Sequence, residues 1–418
     1  MQNTDVTIVG GGSAGLTLAL LLARLQLRVV LVEKGPAPSL TAAPAQTGAK
    51  PDYQRVSALN MASRNLFQQL GIWPQLLAGA AAYTDMQVWE ADSFGRIGFS
   101  AAEQQLEALG YICDNEQIRQ LLYSQLQQYS NVHCYFDVAI SQLKQGEREV
   151  MLQLDNSELI LSQLLVGADG VNSFVRQHMQ LPLTHWDYQH TAIVAKIRCT
   201  EAHQLTARQV FLTSGPLALL PLPEPDLCSI VWSAETSEAN RLMALDDNAF
   251  NQVLCAASQA VLGPVELVSE RQAFGLTMRY ASSWQRGRVV LVADAAHSIH
   301  PLAGQGMNLG LMDVTALAQL ISEQQTAGDD IAATSMLRYY ERWRKAEAQS
   351  MIVAMEAFKR GFTAKPALLK LLRGAGLVAA DKLPWLKQQL MAHALGLKGD
   401  LPELGKKQGN DGDTLSEA

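Results

Sequence analysis

Gly10-Gly11-Gly12-Ser13-Ala14-Gly15 satisfies the spacing GxGxxG, between a short apolar run and an Ala/Leu-rich one. Glycines so placed let backbone approach a pyrophosphate, whose charge is met by the amides of a helix N-terminus. Glu33 follows Gly12 by 21 residues. A carboxylate there accepts both hydroxyls of a ribose. Two later acids share one arrangement: Gly167-Ala168-Asp169-Gly170, continuing to Ser173 and Arg176, and Ala293-Asp294-Ala295-Ala296-His297. Each acid ends an apolar run, which suits an extended ligand along the carboxyl edge of a sheet. A dinucleotide held by the first fingerprint alone would not need the third region.

These residues need elements to carry them. Asp5 to Val9 reads as a buried strand, Ala14 to Leu25 as a helix and Arg28 to Glu33 as a second strand, a βαβ unit. Residues 35–52, rich in Ala, Pro and Thr, read as a surface loop. Gln117 to Tyr129 has helical spacing, and Leu159 to Val166 and Arg288 to Ala293 are strands running into Asp169 and Asp294. From 181 to 275 the texture changes to short strands such as Thr191 to Ile197, Leu217 to Leu222 and Leu227 to Ser233, an inserted sheet domain. A helix is expected near 306–323. Helical pattern then runs from about 335 to 397, interrupted at Pro366 and Pro384, before a polar tail.

Composition narrows the class. The 418 residues are 48% apolar and 17% charged, enough for a large core and two or three domains. A net charge of −7 gives no overall attraction to nucleic acid. The five cysteines lie 21 to 65 residues apart, matching neither zinc spacing nor a CxxC pair, so free thiols and a reducing compartment are expected, with no metal. No basic n-region precedes the first strand and no apolar run approaches a membrane span, so the expected location is cytoplasmic. One asymmetry stands out: residues 335–407 hold 14 Lys/Arg against 6 Asp/Glu.

The three motifs together resemble the single-component FAD-dependent aromatic hydroxylases, the family of para-hydroxybenzoate hydroxylase, over nearly the whole chain. The resemblance implies an α/β fold: a Rossmann-like FAD-binding domain of the GR2 type, an inserted, mostly antiparallel β-sheet substrate domain and a C-terminal helical segment. The implied division is 1–75, 100–180 and 276–335 for FAD, 76–99 and 181–275 for substrate, 336–404 helical and 405–418 a polar tail. Gly10, Gly12, Ser13, Ala14, Gly15 and Glu33 would then hold the ADP half of FAD. Ala168 and Asp169 would support FAD and reductant, and Asp294 the ribityl chain. Ala293 departs from the family's Gly.

His300-Pro301-Leu302-Ala303-Gly304-Gln305-Gly306-Met307-Asn308-Leu309-Gly310, with Asp313 beyond, resembles the signature of the ubiquinone-biosynthesis hydroxylase subfamily. The implied cofactor contacts are backbone amides around Gly304, Gly306, Met307 and Asn308, stabilising charge on the reduced flavin. Pro301 would lie at the flavin edge facing the oxygen adduct. Arg55 matches the arginine on the diphosphate side, although by itself it reads as solvated, and Lys34 is a further contact candidate. Asn115 and Arg119 fall where relatives place ribityl or phosphate contacts, on a loose local match. Trp186 to His190 resembles the subfamily's own stretch, so Tyr188 and His190 would line a phenol pocket; an ordinary aromatic strand is the competing reading. His297 and His300 are expected in structural roles, and no acid or base is nominated.

The implied reaction is hydroxylation of a polyprenylated phenol through a flavin C4a-hydroperoxide, with NAD(P)H and O2 as cosubstrates. Asp92 to Gly95, Trp186 to His190 and the long signature together look most like enzymes converting 2-polyprenylphenol to 2-polyprenyl-6-hydroxyphenol. The runs Leu217 to Leu222 would supply a tail channel. Alternatives are another ring position or substrate, and a non-catalytic FAD-binding subunit of a ubiquinone-biosynthesis assembly. The basic residues Arg342, Arg344, Lys345, Lys359, Arg360, Lys370 and Arg373, interleaved with aromatics, read as a solvated face, as a peripheral contact with an anionic inner membrane or as a surface for an acidic protein partner. A homo-oligomer stays open.

Overall fold

The computed structural model describes residues 1–39, 55–93, 95–298, 305–363 and 399–406, without the side chains of 305 and 354–363. Strand β1 (Gln2–Val9), helix α1 (Ser13–Arg24) and strand β2 (Val29–Val32) form the opening βαβ unit. Helix α1 is buried from Gly15 to Ala23, which is why its sequence is apolar on every side. Next come β3 (Val56–Leu59), α2 (Met61–Gln69), α3 (Trp73–Leu77), β4 (Ala81–Tyr83), β5 (Asp85–Glu90), β6 (Arg96–Ser100) and β7 (Gly110–Asp114). Helix α4 (Asn115–Leu126) starts where Asp114 accepts the amides of Glu116 and Gln117, and it packs against α1. Strands β8 (Val132–Tyr135), β9 (Ile140–Gln145), β10 (Val150–Leu154) and β11 (Leu159–Gly167) and the short α5 (Phe174–His178) complete the first half.

The second half opens with β12 (Leu183–Cys199), β13 (Thr206–Leu212), β14 (Gly215–Pro221) and β15 (Leu227–Glu235). Helices α6 (Thr236–Met243) and α7 (Asp247–Ala257) follow, then β16 (Val265–Leu267), β17 (Gln272–Ala281), β18 (Gln285–Arg286), β19 (Val289–Leu291) and β20 (His297–Ser298). Helices α8 (Gln305–Ala327) and α9 (Thr334–Thr363) follow.

Among the described residues the strands form three sheets. The first runs β18-β19-β11-β1-β2-β8, parallel from β19 to β8, with β10 and β9 added antiparallel beside β11. The second runs β20-β17-β12-β15-β14-β13-β5-β6 and is antiparallel except between β13 and β5. The third is the small β3-β7-β4. One face of the second sheet is closed by α6 and α7, whose Leu242, Phe250 and Leu254 pack on Ile193, Ile230, Trp232 and Leu217. Near β14 its other face meets the small sheet, where Leu220, Leu222 and Leu227 pack on Ala58, Ala81 and Ile112.

Two expectations change here. A boundary at 276 would cut β17, which stays in the substrate sheet to Ala281; that sheet also takes in β20. The run Leu217 to Leu222 is a strand, so its side chains alternate, and Leu217 and Leu219 are buried against the helical layer. They line no channel. The expected loop 35–52 lies outside the described residues from 40 onward, as does the helical pattern beyond 363 up to 398.

Candidate functional site

Because β1, β2, β11 and β19 are parallel, their C-terminal ends bring Gly10, Glu33, Asp169 and Asp294 to one edge of the sheet. Gly10 has φ +112°, and a Cβ there would stand 2.3 Å from the Ala168 oxygen. A Cβ on Gly15 would stand 1.9 Å from the Gly10 oxygen. These two glycines let the strand ends and α1 close on each other. At Gly12 a Cβ would meet nothing within 4 Å, and α1 has no side-chain cap and no acid in its first turn. The amides beginning at Ser13 and Ala14 therefore face open space with a positive helix end behind them, a cradle for an anion.

Glu33 accepts the amides of Gly11 at 2.5 Å and Gly35 at 2.7 Å, which ties the glycine loop to the end of β2. Each carboxylate oxygen keeps a lone pair for a hydroxyl. Lys34 is exposed beside it. Gly11 was missed in the sequence, where nothing marks it within its glycine run.

Asp169 spends one carboxylate oxygen on the Val175 amide at 3.0 Å, and its other, buried oxygen meets no partner among the described residues. Burial pushes this carboxyl up, against the pull of Ser173 and of backbone amides at the start of α5. Asn115, at the start of α4, likewise has a buried Oδ1 without a partner among the described residues. Such atoms cost free energy unless a ligand or water meets them. Arg119 donates to the Gly11 oxygen at 3.3 Å, so α4 also reaches the glycine loop. Arg176, buried, donates to the oxygens of Val171 and Ala295, both at 2.8 Å, and so joins the second acidic turn to the third.

Asp294 is exposed to solvent, with protein packed about the base of its carboxyl. That desolvation raises its carboxyl, opposed by the charges of His297, Arg55 and Arg279. Arg55 is itself exposed, and its charge acts on this acid. Ala293 stands at φ +52°, left-handed backbone that the family's Gly adopts freely. Its methyl fits because the facing residue is Gly310: a Cβ there would come within 2.8 Å of the Ala293 Cβ.

Behind the turn lies a buried ion cluster. Asp313, fully buried on α8, accepts from His297 Nε2 at 2.5 Å, Arg344 Nε at 2.8 Å and the Ala293 amide at 3.2 Å. Burial would push its carboxyl up, but His297 and Arg344 outweigh this and hold it low. Trp284 stacks beside His297, with ring centroids 5.0 Å apart. His297 thus has the structural place expected for it. Arg344, read in the sequence as basic surface, is instead an interior residue of α9 pinned to Asp313.

Gly306 and Met307 lie half-buried in the first turn of α8, with open space at Gly306. The side chain of Asn308 is spent on protein: it donates to the Ala58 oxygen and accepts from the Asn60 amide and the Ser63 hydroxyl. Pro301, His300 and Gly304 lie outside the described residues. Among the described residues no cluster of three or more His, Cys, Asp or Glu could hold a metal ion.

The substrate sheet joins this edge through β20, whose Ser298 and His297 pair with Arg279 and Tyr280 of β17. Between Asp187 and His190 the β12-β17 register shifts, and Gln189 takes φ +53°. This bulge sets Tyr188 against Ala192 and Leu276 on the face opposite the helices. His190 Nδ1 lies 2.7 Å from the Tyr188 carbonyl oxygen. A carbonyl only accepts, so Nδ1 donates here, and the tautomer this selects has Nε2 as its acceptor.

The residues present fit a dinucleotide that passes from α1 across Asp169 to Asp294. Residues 3–354 match the family described as FAD binding domain. The chain belongs to that family. It is 33% identical over 398 residues to the 3-demethoxyubiquinol 3-hydroxylase of Escherichia coli (strain K12), covering 95% of this chain and 99% of that one. It is 32% identical to the mitochondrial ubiquinone biosynthesis monooxygenase COQ6 of Xenopus tropicalis, covering 93% of each. The p-nitrophenol 4-monooxygenase PnpA of Pseudomonas putida DLL-E4 has the same fold, with a TM-score of 0.77 at 17% identity over 96% of this chain and 99% of that one. The protein is an FAD-dependent aromatic-ring monooxygenase of the ubiquinone-biosynthesis hydroxylase family, with NAD(P)H and O2 as cosubstrates.

Proposed function

We propose that this enzyme hydroxylates the ring of a polyprenylated phenol, converting 2-polyprenylphenol to 2-polyprenyl-6-hydroxyphenol. The observation that carries the ring chemistry is β20, which hangs the substrate sheet on the turn after Asp294. When bound, FAD would supply the redox chemistry by which NAD(P)H and O2 place one oxygen atom in the ring and release the other as water. In this reading the amides of Gly12 to Gly15 and the N-terminus of α1 hold the pyrophosphate, with Glu33 on the ribose and Lys34 and Arg55 flanking. Asp169 and Asp294 take the ribityl side, joined by backbone near Gly304, Gly306, Met307 and Asn308, with Pro301 beside the reacting edge. Tyr188 walls the phenol, and His190 Nε2 accepts its hydroxyl hydrogen, which makes the ring more electron-rich.

A second reading, hydroxylation at position 3, is favoured by the identity with the Escherichia coli 3-demethoxyubiquinol 3-hydroxylase. Expression in strains lacking either hydroxylase separates the two. Loss of accumulated 2-polyprenylphenol supports the first, loss of the demethoxy intermediate supports the second, and loss of neither overturns both. Membership of a biosynthetic assembly and contact of the basic segment with a membrane are part of the same proposal. No helix among the described residues is long and apolar enough to cross a bilayer. Arg344 is excluded from any such surface by its burial.

A further inference from the structure

Trp186 and Phe274 are 59% and 44% exposed, unusual for residues of their size in a strand pair. Register explains where they point. Trp186 lies opposite Met278 and Phe274 opposite Ala192, while Leu276 stands between Phe274 and Met278 on β17. Alternation puts all of these on one face, and Tyr188, Ala192, Leu276 and Met278 touch one another there. The result is an apolar stripe that passes the proposed phenol wall at its middle and reaches solvent at both ends, spanning about 13 Å along β17. Of the run Leu217 to Leu222, Leu217 and Leu219 are buried in the opposite face, and Leu220 and Leu222 pack on the small sheet.

We infer that this stripe, with Trp186 and Phe274 at its open ends, is a binding subsite for an isoprenoid chain. The inference rests on the prenylated-phenol reading for its physiological ligand. Width decides the occupant. A protein partner needs on the order of 1,000 Å² of interface, whereas two strands offer a strip one or two side chains across, matching a single branched hydrocarbon chain. Continuity with Tyr188 and Leu276 places that chain where the substituent of a bound phenol would emerge.

The test uses the FAD-loaded full chain, with Trp186→Ser, Phe274→Ser and, as control, Leu77→Ser on α3, also exposed. Exposed positions of this kind leave folding intact. Equilibrium dialysis with farnesol should show the dissociation constant rising about tenfold in the first two variants and unchanged in the control. KM for phenols carrying several isoprene units should rise in parallel, with kcat and the KM for a single-unit analogue unchanged. No farnesol binding by wild type, or binding indifferent to both substitutions, overturns the subsite. So does a loss of adhesion to anionic vesicles with farnesol binding unchanged, which would make the patch a lipid-surface contact. If wild type binds farnesol at the stripe yet hydroxylates no prenylated phenol, the subsite stands and the functional reading falls.

Discussion

Asp169 offers the sharpest single-residue experiment, because one of its buried oxygens meets no partner among the described residues. Asp169→Ala should weaken FAD binding by about 1.5–3 kcal/mol, the worth of one hydrogen bond to a charged group, in a flavin-fluorescence titration. Unchanged affinity would remove it from the cofactor site. His190→Phe should keep FAD but lower kcat by about 100-fold; a shift confined to KM would make His190 a wall. Ala293 tests a different point. Ala293→Gly should stabilise the fold by about 1 kcal/mol, since a left-handed alanine is strained. Gly310→Ala should destabilise it by about 1–3 kcal/mol. The double variant should recover most of that loss, and simple additivity would show that the two methyl positions do not compete.

At the scale of elements, the cluster around Asp313 locks α8, α9 and the Asp294 turn together. Asp313→Asn leaves Arg344 buried without its countercharge and should cost about 3–5 kcal/mol in denaturant unfolding. Because this carboxyl is held below its ordinary value, its stabilisation is complete above about pH 4 and fades as the pH falls through the lower folded value. The variant should therefore show a flatter acid limb than wild type. This cluster was hard to read in the sequence. Asp313 sat inside a recognised signature, but its partner lies 31 residues on in another helix, and in a basic stretch one interior arginine looks like any other. The opening βαβ unit was legible because its contacts are local and its glycines have one steric purpose. The strand at 217 was legible too, but its period of two sends Leu217 and Leu219 to the helical layer and Leu220 and Leu222 to the other face, a division the run read as a whole did not make. Nor does anything in Trp186 to His190 announce a bulge, which depends on the register of a strand about 90 residues later.

At the scale of the whole molecule, the substrate sheet is fastened to the cofactor edge at β20 and again where Leu220 and Leu222 meet Ala58 and Ile112. One cooperative melting transition is expected rather than one per layer. FAD at a hundredfold its dissociation constant should raise stability by about 2.7 kcal/mol and shift that transition as a unit. Calorimetry resolving two transitions, of which FAD moves only one, would show the layers to be independent.

His297–Ser298 is a strand of two residues, but it is the last rung on its side of the larger ladder. A fragment ending at Ala281 would leave the edge of β17 bare, a template for strands of other copies. The catalytic layer cannot be excised cleanly, and fragments cut there should clump unless something else hems the seam.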